Sequence, residues 1–219
     1  MKQLIINNKK SYDDFNVYIG TRNISSPTKK IIKESVPFTN KVYDFSNLNG
    51  ELYWNERILT YSFDIAELTT EEMEEAKSKL LSWLLNVHDD DIFDPYIGDY
   101  HFHGSYDSDS WEEDFGAGKL TVNFSVYPYK IANKETRSLH TLSTGENNIS
   151  VINNSSHRIV PTIVCSGSMT IKINDISYSL PSGTIKDDLI KLEVGTNDIV
   201  VIPTNADSTI EFVFKEEVF

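Results

Sequence analysis

His101 and His103 stand two apart in Tyr-His-Phe-His, a spacing that on a strand turns both imidazoles to one side, as paired metal ligands require. Asp99, Asp107 and Asp109 lie close by. No third histidine has helical or strand spacing to the pair. The acidic loop expected at Asp107-Ser108-Asp109-Ser110-Trp111-Glu112 departs from an EF-hand at its fifth position and lacks glycine at the sixth. The two histidines therefore read as residues on the polar face of a strand or at a subunit contact, and no metal is assigned. Carboxylates are plentiful between Asp89 and Asp114, but glycoside hydrolysis needs two of them in a cleft with opposed environments, and a solvated run carries no such asymmetry. A single cysteine, Cys165, excludes an internal disulfide and any Cys-based zinc or iron–sulfur site. Within Ile163-Val164-Cys165 it reads as a small buried hydrophobe. The chain holds no Gly-x-Ser-x-Gly elbow, no phosphate loop, no Gly-x-Gly-x-x-Gly and no His-Glu-x-x-His. No catalytic residue and no cofactor follow from it.

The elements that would position these side chains are mainly strands. Leu59, Tyr61, Phe63 and Ile65 alternate with Thr60, Ser62 and Asp64, and Leu120, Val122, Phe124 and Val126 alternate with Thr121, Asn123 and Ser125, the period of half-buried strands. One segment reads as a helix, over about residues 70–87. Thr69 and Glu72 form a capping box, acids fill the first turn, and Met73, Ala76, Leu80, Leu84 and Val87 repeat at three and four. Three acids at the negative end of a helix are unfavourable, which assigns Asp89-Asp90-Asp91 to a loop.

The polar run between Ile131 and Asn148 has little periodicity and reads as a linker, dividing the chain into residues 1–138 and 139–219. Seven short strands are predicted in the second part, at 149–152, 159–165, 169–173, 177–180, 189–194, 199–202 and 209–215. Asn, Asp, Ser and Gly clusters separate them, and the set reads as a small β-sandwich with Ile210, Phe212 and Phe214 as a principal core stripe.

Charge is distributed unevenly. Of 219 residues, 20 are Lys or Arg and 33 Asp or Glu, a formal −13, which argues against binding by neutralisation of nucleic-acid phosphates or anionic lipid. Residues 64–114 hold sixteen acids against Lys77 and Lys79, a net −14, whereas residues 1–43 carry +5. Such polarity suits solvated faces kept for solubility, or complementarity between copies. No apolar run is long enough to span a membrane, and the apolar block at Leu4-Ile5-Ile6 is too short for a signal peptide.

Five segments in order carry a resemblance. They are Thr21-Arg22-Asn23-Ile24-Ser25-Ser26-Pro27; Val36-Pro37; Gly50 to Phe63, with Tyr53-Trp54-Asn55-Glu56-Arg57; a helix with Trp83-Leu84; and Gly118 to Phe124 leading into Tyr127-Pro128-Tyr129-Lys130. This sequence resembles the distal tail proteins of long-tailed bacteriophages, over nearly the whole first part. Pro161 to Gly167 and Gly195 to Ile199 resemble the galectin-like domain that follows in that family. Phe38-Thr39-Asn40 replaces the Asp-Gly expected after Val-Pro, and the stretch 99–114 is longer and more acidic than expected.

The resemblance implies an N-terminal β-sandwich with one helix, then a galectin-like sandwich. It further implies a homo-hexameric ring at the virion tail tip, made in the host cytoplasm. The ring would join the tail tube protein to tail-associated and receptor-binding proteins around a channel that passes DNA as cargo. A heterologous ring needs two complementary surfaces per subunit. Arg22, Lys29, Lys30 and Lys33 against Asp89, Asp90 and Asp91 are the expected interface, unless the acids line the channel and repel passing DNA. The rival reading is a carbohydrate-binding adhesion module. All three tryptophans fall in the first part, which leaves the second without an obvious stacking platform.

Overall fold

The computed structural model describes residues 2–47, 50–66, 69–114 and 117–219. The chain forms two compact units, Met1–Lys130 with Phe219, and Ile131–Val218.

The first unit contains, in order, β1 (Ile5–Ile6), β2 (Lys9–Lys10), β3 (Tyr18–Ile24), β4 (Lys33–Ser35), β5 (Val42–Asp44), β6 (Arg57–Ala66), α1 (Thr70–Leu84), β7 (Asp90–Phe93), β8 (Tyr100–Asp114) and β9 (Ala117–Val126). Antiparallel pairing runs β3-β6-β9-β8-β7-β1-β2. Leu59, Tyr61 and Phe63 sit opposite Phe124, Val122 and Leu120, so the two alternating stripes present one face. Ile6, Ile92 and Phe102, from the other part of the sheet, join them in one buried cluster. The sheet thus folds over its own core.

Helix α1 closes that core. Both halves of the Thr69–Glu72 capping box form, and Met73, Leu80, Trp83 and Leu84 are buried. The helix ends at Leu84, short of the apolar stripe, yet Val87 remains buried in the turn that follows. Trp83 stacks on Phe15 with ring centroids 4.6 Å apart and donates its indole N–H to the Ile6 carbonyl at 3.2 Å. Gly118 has no room for a side chain, because a Cβ there would lie 2.0 Å from the Trp111 ring.

Two predicted loops are strand. Asp90 and Asp91 belong to β7, leaving Asp89 in left-handed backbone just before it. Asp107–Glu112 lies inside the fifteen-residue β8. The helix dipole rightly keeps these acids out of α1, but pairing rather than side-chain apolarity makes them extended. For β8 the partner β9 supplies the apolar stripe, and Asp107, Asp109 and Glu112 remain exposed.

The second unit comprises β10 (Lys130–Thr141), β11 (Asn147–Asn153), β12 (Thr162–Cys165), β13 (Met169–Ile173), β14 (Ile176–Leu180), β15 (Gly183–Ile185), β16 (Gly195–Pro203) and β17 (Thr209–Val218). One sheet has the order β11-β16-β13-β14, and β15-β12-β17-β10 lie in sequence opposite it. Val151, Ile171, Ile199 and Val201 from the first meet Ile163, Cys165, Ile210, Phe212 and Phe214 from the second, which makes the unit a sandwich. Burial pushes the Cys165 thiol up to about 11, consistent with a core residue.

The expected linker is β10, and the units divide at 130/131 rather than near 138. Its alternation is carried by half-buried Thr136, Ser138 and His140, which hydropathy does not register. Residues 189–194 are not a strand. Ile190 and Leu192 are buried, but the segment makes only the Ile159–Leu192 bridge.

Candidate functional site

The segment that joins β3 to β6 stands apart from either core. β4 and β5 form their own two-stranded sheet, with Lys33, Glu34 and Ser35 opposite Asp44, Tyr43 and Val42. Its base is held by a Lys29–Trp54 bridge and by the Lys30 amide, which donates to the Tyr53 carbonyl at 2.8 Å. Every residue from 28 to 45 is exposed, including Ile31, Ile32, Val36, Phe38, Val42, Tyr43 and Phe45. Phe38, at the tip, is fully exposed and has φ of 65°, a backbone conformation costly for a bulky residue and one that the expected Asp-Gly would accept more easily. An isolated two-stranded hairpin is marginal in water, and the seven large apolar side chains on it join neither buried core. Clustered exposure of this kind marks an interaction surface.

The lysines predicted at an interface lie on this hairpin. Lys29, Lys30, Lys33 and Leu52 line a hollow of about 310 Å³, and Lys33 makes a solvent-exposed ion pair with Asp44 at 3.8 Å. Arg22 is elsewhere, on β3. Its Nε is bonded to Asp94, so it serves an internal pair.

Asp89, Asp90 and Asp91 gather around His103. The His103 Nδ1 lies 2.8 Å from Asp91 and its Nε2 2.9 Å from Asp89. Asp90 accepts from the Asn7 side-chain amide at 2.9 Å and the His88 backbone N–H at 2.8 Å. His101 lies on the same side of β8 as expected, with Nε2 at 3.4 Å from Asp91, but its ring is buried against Phe93. Among the described residues no group of three or more His, Cys, Asp or Glu is arranged to hold a metal ion.

Burial, the largest single influence on His103, disfavours its charged form. The hydrogen bonds and charges of Asp91 and Asp89 outweigh it, and the pKa is raised above the ordinary 6.5. A group raised in the folded state contributes stability that is full below its unfolded pKa and is lost as pH rises through the folded value. The melting-temperature advantage of wild type over His103→Gln is therefore expected to be larger at pH 6 than at pH 8.5. An equal difference at both would refute the pairing.

A second charged cluster surrounds a buried carboxylate, and Arg22 alone of its members is among the predicted interface residues. Asp94, 3% exposed, follows β7. It accepts from the Arg22 Nε, from the Tyr61 hydroxyl at 2.6 Å and from the Tyr96 amide at 2.8 Å. Burial, then the Asp94 charge, push the Tyr61 phenol above its ordinary range. Arg57 and Lys130 lie in the same region, and Arg57 stacks over Phe102 at 4.8 Å.

No family model and no curated protein sequence matches the chain. A solved structure does. The chain superposes on SPP1 Dit (gp 19.1), described as a paradigm of hub adsorption apparatus in Gram-positive infecting phages, with a TM-score of 0.71 over 98% of this chain and 99% of that one. The fold is that of a phage Dit protein. Sequence identity is 17%, so likeness is carried by architecture rather than by shared side chains. Both the mainly β character and the N-terminal sandwich with one helix expected from the resemblance are present.

The hairpin connects the adjacent strands β3 and β6 and lies outside both cores. Its basic residues are legible as charge, but its protrusion is not. The signal available is an apolar stretch, Ile31 to Phe45, with neither helical nor strict strand period. Arg57 has a clearer signal, being in phase with Leu59, Tyr61, Phe63 and Ile65. On the second unit, Phe212 and Phe214 are buried and unavailable for stacking, which leaves Tyr178, beside a hollow of about 160 Å³, as the aromatic a saccharide could meet there.

Proposed function

We propose that this chain is a structural hub component of a phage tail tip, acting by assembly rather than by chemistry. In this reading six copies close into a ring. The first unit builds the ring around a channel that passes DNA, and the second offers its surface to neighbouring tail proteins, with the tube protein on one side and tail-associated or receptor-binding proteins on the other. The observation that carries the reading is the fold likeness to a hub protein along the full length of both chains. The exposed hairpin supports it, because a ring subunit needs a surface that is complete only against another copy. Acidic residues of the 64–114 segment that are not tied to His103 remain for the complementary face or for the channel wall.

Negative-stain electron microscopy of the purified full chain is expected to show six-fold rings with a central hole. A strictly monomeric protein at micromolar concentration and low salt would refute the ring.

A further inference from the structure

Arg57 is a buried guanidinium that lacks part of its hydrogen bonding. The register that turns Leu59, Tyr61 and Phe63 into the core also turns Arg57 inward, and its residue exposure is 5%. Among the described residues neither Nε nor Nη2 finds a hydrogen-bond partner, and both atoms are shielded from solvent. Nearly all buried polar groups in native proteins are paired, and an unpaired buried charge is the most expensive exception.

The obvious internal carboxylates are already engaged. Glu56 accepts from the Ser125 hydroxyl at 2.6 Å, and Asp94 is committed to Arg22, Tyr61 and the Tyr96 amide. The Phe102 ring lies under the guanidinium, 4.8 Å from its carbon, and offers no acceptor to the Nε–Nη2 edge. Lys130 adds a second cation. Burial first, then the charges of Arg57 and Arg22, lower its pKa. Arg22 has the buried Asp94 carboxylate as its partner, whereas the Arg57 Nε and Nη2 have none among the described residues.

We propose that Arg57 and Lys130 form a receptor site for a carboxylate group, with the guanidinium fork as the principal donor. A planar bidentate acceptor matches the Nε–Nη2 edge. The overall negative charge opposes a polyphosphate partner. The site holds whether or not the chain closes into a ring. Its carboxylate has two sources, a free small acid or an Asp or Glu side chain of a second copy, of which residues 64–114 carry many.

The test uses the full chain, with acetate replacing chloride at constant ionic strength and pH, and with Arg57→Met, Arg57→Lys and Lys130→Met as variants. If the source is free acid, acetate raises the wild-type melting midpoint by several degrees, Arg57→Met loses that rise, and Arg57→Lys keeps part of it. If the source is a second copy, acetate leaves wild-type melting unchanged, and Arg57→Met weakens self-association in sedimentation velocity by tenfold or more. Lys130 is half-buried at the start of β10, so Lys130→Met reports the same loss in weaker form should Arg57→Met not fold. Variants that match wild type in both acetate response and association would overturn the proposal and leave Arg57 as a packing residue.

Discussion

Asp94→Ala is expected to lower the stability of the first unit by about 3–5 kcal/mol, the range for breaking a buried ion pair by removing one partner. The carboxylate is the common acceptor for three donors: the Arg22 Nε, the Tyr61 hydroxyl and the Tyr96 amide. Its side chain has no solvent exposure, whereas that of Arg22 is 29% exposed, so water replaces part of what Arg22 loses but reaches neither the vacated carboxylate site nor Tyr61. Tyr61 is 0% exposed, and its hydroxyl would be left without an acceptor, a penalty of about 1–3 kcal/mol by itself. These contributions overlap and do not add. Asp94→Asn keeps a carbonyl oxygen for one donor and should lose less than the alanine variant.

The measurement is urea unfolding followed by tryptophan emission. Trp54, Trp83 and Trp111 all lie in the first unit, so the signal reports that unit without contribution from the second. A loss below about 1 kcal/mol, the size of an exposed pair, would show that Asp94 is not the keystone its contacts describe.

The contrast between Asp94 and the strands of the core shows what the sequence could reveal. Alternation at 59–65 and 120–126 gives away two central strands and their inward faces, because apolar side chains on one side of a sheet write their burial directly into the order of residues. Thr69 and Glu72 give away the helix start for an equally local reason. β8 and β10 escape such a reading because their inward positions carry Thr, Ser, His and Gly as often as large hydrophobes, and their extended shape is imposed by the partner strand. Asp94 looks like one more acid in an acidic stretch. Only the fold brings Arg22 and Tyr61, from β3 and β6, to a residue over thirty positions away. Arg57 is different, since a charge in phase with an apolar stripe is a local anomaly, visible in the order of residues alone.

Substituting the apolar side chains of the β4–β5 hairpin should abolish assembly while leaving the fold intact. Ile31→Ser, Phe38→Ser and Val42→Ser together remove three side chains that are 66%, 109% and 61% exposed. None contributes to either buried cluster, so the unfolding free energy from urea titration read by tryptophan emission should change by no more than about 0.5 kcal/mol. Self-association should fall by orders of magnitude, because aromatic and aliphatic anchors at the centre of an interface commonly cost about 2 kcal/mol or more each when truncated. Phe38 alone, at the hairpin tip, should account for the largest share. The lysines offer an independent check on the same surface. Lys29→Glu, Lys30→Glu and Lys33→Glu together reverse the sign of the hairpin. If the hairpin meets acids of the next copy, association of this variant is weakest at low salt and recovers as salt screens charges beyond about 10 Å, while wild-type association weakens over the same range. The two curves should converge near molar salt, where only the apolar contacts still act. Assembly unchanged at every salt would place the acids of residues 64–114 somewhere other than against this hairpin, and an intact ring in the serine variant would remove the hairpin from the interface altogether.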